Sequence, residues 1–144
     1  MEHFDLNEIR SLSRESYHDT WLRVKAGKEL EGEEKIIGEL MRQHEEFYDD
    51  WDSTDFDHEY DPDTEVNPFM HLVMDTIVMN QITNNDPPQT RFTYNKLIAR
   101  RDSHLDAIHK ISYIVAEEIW NIMHDKKAFN EKAYTTKLKK LKWG

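Results

Sequence analysis

The 144-residue sequence contains no cysteine. Disulfides, thiolate nucleophiles, zinc-finger sites and iron–sulfur clusters on cysteine are therefore excluded. Four glycines and four prolines are few for a sheet protein, which needs turn residues between its strands. No window approaches the roughly 18 uninterrupted apolar residues that cross a bilayer, and "MEHFDLNEIR" has no basic-then-apolar leader. These absences give the expectation of a cytoplasmic protein with no membrane partner. Positive charge is also short: 19 Lys and Arg stand against 29 Asp and Glu, for a net charge of −10. Such a surface repels phosphate backbones, so no nucleic-acid partner is expected. There is no glycine-rich phosphate loop, no G-x-S-x-G and no H-E-x-x-H. No organic cofactor is expected, and no catalytic residue or reaction is identified.

What the sequence does have is helical periodicity. Its length suits one domain over 1–144. A first helix is expected over about 5–26, with Asp5 as N-cap, Leu6, Ile9, Leu12, Tyr17, Trp21 and Val24 on one stripe, and Gly27 as the stop. A second, over about 33–51, carries Ile36, Ile37, Leu40, Met41, Phe47, Tyr48 and Trp51 inward, and His44 falls inside that stripe. Asn67 as N-cap and Pro68 at the first helical position start a third helix, which runs to about Ile82. A short fourth helix is expected near 91–100, and a long fifth over about 103–126 with Leu105, Ile108, Ile111, Val115, Ile119 and Ile122 inward. Asn130 caps a last short helix reaching about 142. The expected fold is all-α, a helical bundle of four main helices plus two short ones.

Charge is unevenly placed along this frame. Residues 45–65 hold eleven acids and no lysine or arginine, and the part from about 52 to 66 reads as a loop. Asp55, Asp57, Glu59, Asp61, Asp63 and Glu65 alternate in the manner of calcium-loop ligands. Counted from Asp55, however, the sixth position is Tyr60 rather than glycine and the twelfth is Val66 rather than glutamate, so the loop is no EF-hand. Seven lysines and one acid, Glu131, follow from Lys126 to Gly144, chiefly as a solvated amphipathic helix. The acidic loop and the lysine-rich tail are the two candidate surfaces for a protein partner, with a homo-oligomer as the other assembly considered.

Chemistry concentrates on histidine. "NPFMHLVMDTIV", the most apolar stretch, carries His71 and Asp75 four residues apart, about 40° around the helix. Alone, that pair is more simply a buried hydrogen bond than a ligand set. On the fifth helix, Asp106 and His109 stand three apart and are followed by Tyr113 and Glu117. Carboxylate-x-x-His is a ligand spacing of carboxylate-bridged metal bundles, though common by chance. Three inward-leaning histidines, His44, His71 and His109, on three helices are what a metal site in a bundle core requires. Asp75 and Asp106 are added as carboxylate ligands or as groups orienting the histidines; Glu45, Tyr48 and Tyr113 are further oxygen donors nearby. Imidazole with carboxylate suits iron, zinc or manganese. His18, with Glu15 three before it, flanks the first helix's apolar stripe and is a reserve ligand candidate with a surface role favoured; His104 is expected at the surface, and His3, His58 and His124 are expected exposed or terminal.

The segments "DTW" with "KAGKEL" downstream, "RQHEEFY", "NPFMHLVMDTIVMNQ", "DPP", "LDAIH" and "AEEIW" are, in this order, similar to a bacterial family known as domain of unknown function 1841. The resemblance extends from about residue 9 to residue 141, and the Asn-Pro-Phe-x-His-Leu block is its most specific part. It implies a fold and a motif pattern but no activity. Members tend to pair histidines four apart at three places, which fall here on His44 and Tyr48, His71 and Asp75, and Leu105 and His109. One histidine of each pair remains, which implies fewer ions or a more oxygen-rich ligand set. Two functions are therefore expected to compete: a metal-binding helical protein, and an acidic, non-catalytic interaction or adaptor protein whose buried histidines form a structural hydrogen-bond network.

Overall fold

The computed structural model describes residues 6–61, 63–125 and 128–141, and among these the protein is all-α. Seven α-helices are seen: α1 (Leu6–Lys25), α2 (Gly32–Gln43), α3 (Tyr48–Asp52), α4 (Pro68–Asn84), α5 (Pro88–Ala99), α6 (His104–Asp125) and α7 (Glu131–Lys139), with a 3-10 turn over Glu45–Phe47. That is one helix more than the periodicity predicts. Asp5, the expected first N-cap, and His3 lie outside the described residues. No helix among the described residues is long and apolar enough to cross a membrane. The chain packs as two compact units, Met1–Leu72 and Val73–Gly144, and the division falls inside α4.

In the first unit, α1 ends where Gly27 adopts φ +71°, a left-handed stop that disfavours any side chain. Trp21, Leu40, Met41 and Trp51 are buried here. Gly38 has a packing reason: a Cβ at that position would come within 2.7 Å of Leu30 and 3.0 Å of Val24. The single helix expected over about 33–51 is instead broken at His44, whose backbone leaves the helical region at φ −104°, ψ 74°. Side chains beyond the break take the carbonyls that the end of α2 leaves open. The His44 ring bonds the Leu40 carbonyl, the Trp51 indole N–H donates to that of Met41, and the Tyr48 hydroxyl donates to that of Arg42.

The acidic loop that follows is not loose chain. Buried Arg14 donates to the carbonyls of Phe56 and His58 and lies 5.2 Å from the ring centre of Tyr60 and 4.9 Å from that of Phe69. Burial, and then the bond from its hydroxyl to Asp50, push the Tyr60 phenol above its ordinary range.

In the second unit, Met74, Val78, Leu97, Ala107, Ile108, Ile111, Ile114, Val115, Tyr134 and Leu138 form one core. Helix α4 ends at Asn85, which takes φ +51°, and Arg91 donates to the Ile82 and Thr83 carbonyls at that end. Helix α5 begins at Pro88, earlier than the expected 91, because proline suits the first turn of a helix, where the missing N–H has no partner. Asn130 caps α7 as expected, its side-chain oxygen accepting from the Ala133 amide at 3.0 Å. As an amphipathic helix should, α7 buries one face: Tyr134 and Leu138 are fully buried, and Lys137 pairs with buried Glu118 at 2.6 Å. Tyr134 donates to Gln81 at 2.7 Å, and Thr90 donates to the same oxygen at 2.8 Å.

Candidate metal centre

His44 is placed by the break that it causes. Its Nδ1 stands 2.6 Å from the Leu40 carbonyl oxygen, the atom that the amide of residue 44 would reach in a continuing helix. The amide turns to Met41 instead, at 3.3 Å. A carbonyl only accepts, so Nδ1 carries the proton, and in the neutral ring Nε2 is the lone-pair nitrogen. That arrangement, N–H to a backbone carbonyl on one side and a donor nitrogen on the other, is how ligating histidines are commonly held. The ring is 1% exposed, and Phe47 stacks on it at 5.7 Å between ring centres.

His71 comes from the first turn of α4. Asn67 begins that turn: its side-chain oxygen accepts from the amides of Phe69 and Met70 at 3.0 and 3.1 Å. Pro68 then fixes the entry, and the His71 amide bonds the Asn67 carbonyl. The His71 ring lies edge-on to that of His44, 5.0 Å between centres, with Phe47 at 5.6 Å.

One turn further along α4, Asp75 is fully buried. Its two oxygens have different surroundings. Ser112 of α6 donates to Oδ1 at 2.7 Å, and His109, also on α6, brings Nε2 to 3.3 Å from Oδ2. A carboxylate removed from water needs such partners, because an unpaired buried charge costs several kcal/mol. The His109 side chain remains 34% exposed, so the group is not sealed at that residue.

His44, His71, Asp75 and His109 each offer one ligand atom, and these atoms lie within 4.8 Å of one another. Four of the five metal residues expected from the sequence are thus brought together. Asp106 is not: it is exposed on α6, where its amide bonds the Ser103 hydroxyl that starts the helix. Of the other oxygen donors considered, Tyr48 is engaged with Arg42, Glu45 is exposed, and Tyr113 is 77% exposed. The acids from Asp55 to Glu65 are all exposed, and among the described residues they form no converging group.

The remaining histidines differ from expectation in two places. His18 is half-buried, with Nδ1 2.9 Å from the Trp51 carbonyl, and His104 is half-buried, with Nδ1 2.7 Å from the Tyr94 hydroxyl. His58 and His124 are exposed. Ser112 is the site residue that the sequence reading misses. Its signal is a hydroxyl three residues after His109, set among the buried Ile111, Ile114 and Val115.

No curated protein and no solved structure matches the chain. A family model does, over residues 9–140, which is nearly the whole length. The chain therefore belongs to the family described as domain of unknown function (DUF1841).

Proposed function

We propose that the protein binds a metal ion, iron, zinc or manganese, through His44, His71, Asp75 and His109. The convergence of three imidazoles and one buried carboxylate within 4.8 Å carries this reading. The donor set suits borderline divalent ions, which imidazole and carboxylate bind well in the absence of thiolate. Each residue has a definite part. His44 presents Nε2 because Leu40 holds its other nitrogen, Asp75 supplies the negative charge that offsets the cation, and Ser112 steadies that carboxylate. A bound ion of this kind supplies Lewis acidity or redox change, and His109, whose side chain is 34% exposed, marks a side from which water or a small molecule can approach. Protein purified without an affinity tag should contain metal near one equivalent per chain, and His71→Ala should lose most of it. Substoichiometric metal in both preparations would reject the proposal.

A second reading is favoured by the hydrogen bonds themselves. Ser112 to Asp75 and His44 to Leu40 satisfy buried polar atoms within the protein, as a structural network would. The protein would then act by docking a partner through its acidic loop or lysine-rich tail. The two readings separate on chelation. A metal held by the native fold raises the melting temperature and a chelator lowers it, whereas a structural network gives the same melting curve either way.

A further inference from the structure

We infer that Ser112 confines Asp75 to a one-oxygen role and so makes the site mononuclear, with Ser112 its positioning residue. This rests on the metal-binding proposal above. The Ser112 hydroxyl donates to Asp75 Oδ1 at 2.7 Å, and both side chains are buried, so the bond is neither shared with bulk water nor screened by it. The other oxygen, Oδ2, is the one that faces His109, at 3.3 Å. A carboxylate that bridges two ions gives one oxygen to each, whereas here Oδ1 accepts the Ser112 hydroxyl and Oδ2 lies 3.3 Å from the His109 imidazole. A second ion would also need donors of its own. Among the described residues, His44, His71, Asp75 and His109 are the only group of three or more His, Asp or Glu side chains that converges. On α6, the position four before His109 is Leu105, an apolar side chain with no ligand atom, and Asp106 beside it is exposed. The donors present therefore serve one ion.

Ser112 acts through Asp75 rather than on the metal. A hydroxyl bond of this kind fixes the plane of the carboxylate and leaves Oδ2 turned toward His109, which sets affinity and ligand field together. Cobalt(II), added to metal-free protein and followed by its visible absorption, reads both. Wild type should saturate at one equivalent. Ser112→Ala should bind cobalt roughly ten- to a hundredfold more weakly, with a changed absorption envelope, while its metal-free form, though melting lower for the loss of a buried partner, stays folded at the assay temperature. Ser112→Thr, which keeps the hydroxyl, should restore most of the affinity and the envelope. Saturation at two equivalents, or Ser112→Ala binding as tightly with the same envelope, would overturn the inference while leaving metal binding in place. A loss of affinity that merely follows unfolding of metal-free Ser112→Ala, without rescue by Ser112→Thr, would assign Ser112 to packing and overturn it as well. No uptake by wild type would instead reject the underlying metal reading.

Discussion

The acidic loop and helix α4 make opposite use of carboxylates. Between residues 45 and 65 the chain carries eleven acids, and those from Asp55 to Glu65 are all exposed and form no converging group among the described residues. Helix α4 carries a single carboxylate, Asp75, yet that one is fully buried, bonded by Ser112 and grouped with three histidines. Charge density alone does not make a cation site. Exposed carboxylates are already hydrated and repel one another, whereas a buried one is costly unless its surroundings complete it.

The first way to break this contrast is to remove each kind of carboxylate and measure metal content. Asp75→Ala should lower metal affinity at least roughly a hundredfold, the scale expected when a bound residue rather than a neighbour is lost. Neutralising Asp55, Asp57 and Glu59 together as Asn, Asn and Gln should leave metal content unchanged. Equal losses in the two variants would erase the distinction.

A smaller effect is expected at Arg14, which ties the loop down. Arg14→Ala removes the donor to the Phe56 and His58 carbonyls and uncovers the Tyr60 and Phe69 rings. It should cost about 3 kcal/mol in urea unfolding and speed proteolysis between residues 53 and 66, with metal binding retained. A cleavage pattern like that of wild type would show that the loop holds itself.

A subtler effect lies in the second unit and depends on pH. Burial raises the Tyr134 phenol from about 10 to about 12. Because the folded value is the higher one, its contribution is complete below pH 10 and is lost as pH rises toward 12. Stability should therefore fall by about 2 kcal/mol across that window, and Tyr134→Phe should flatten the fall, for a neutral-pH loss of about 1 kcal/mol. Thr90 still donates to Gln81 in that variant, so no acceptor is stranded. An unchanged alkaline slope in Tyr134→Phe would assign the loss to other tyrosines.

Much of the fold could be read from local signals. Gly27, Asn67 with Pro68, and Asn130 act where stop and cap chemistry places them. The break at His44 could not be read, since it depends on a ring nitrogen displacing a backbone amide at Leu40 while Trp51 and Tyr48 take the next two carbonyls. On α6 the inner face centres on Ile108, Ile111 and Val115. His109 lies about 100° around the helix from Ile108, at the edge of that face, whereas Tyr113 and Asp106 lie about 140° and 160° away. The spacing of Asp106 and His109 was visible in the sequence, but the rotation that keeps one and turns out the other depends on tertiary packing. Ser112 sits about 40° from Ile108, inside the face, where a lone serine among isoleucines gives little warning of its partner.

The most direct test is X-ray absorption spectroscopy of the metal-loaded protein. Three imidazoles and one carboxylate predict nitrogen and oxygen donors at about 2.0–2.2 Å, with the outer-shell scattering of about three imidazole rings and no second metal. An all-oxygen shell without imidazole scattering would place the ion on surface carboxylates and contradict the proposed site.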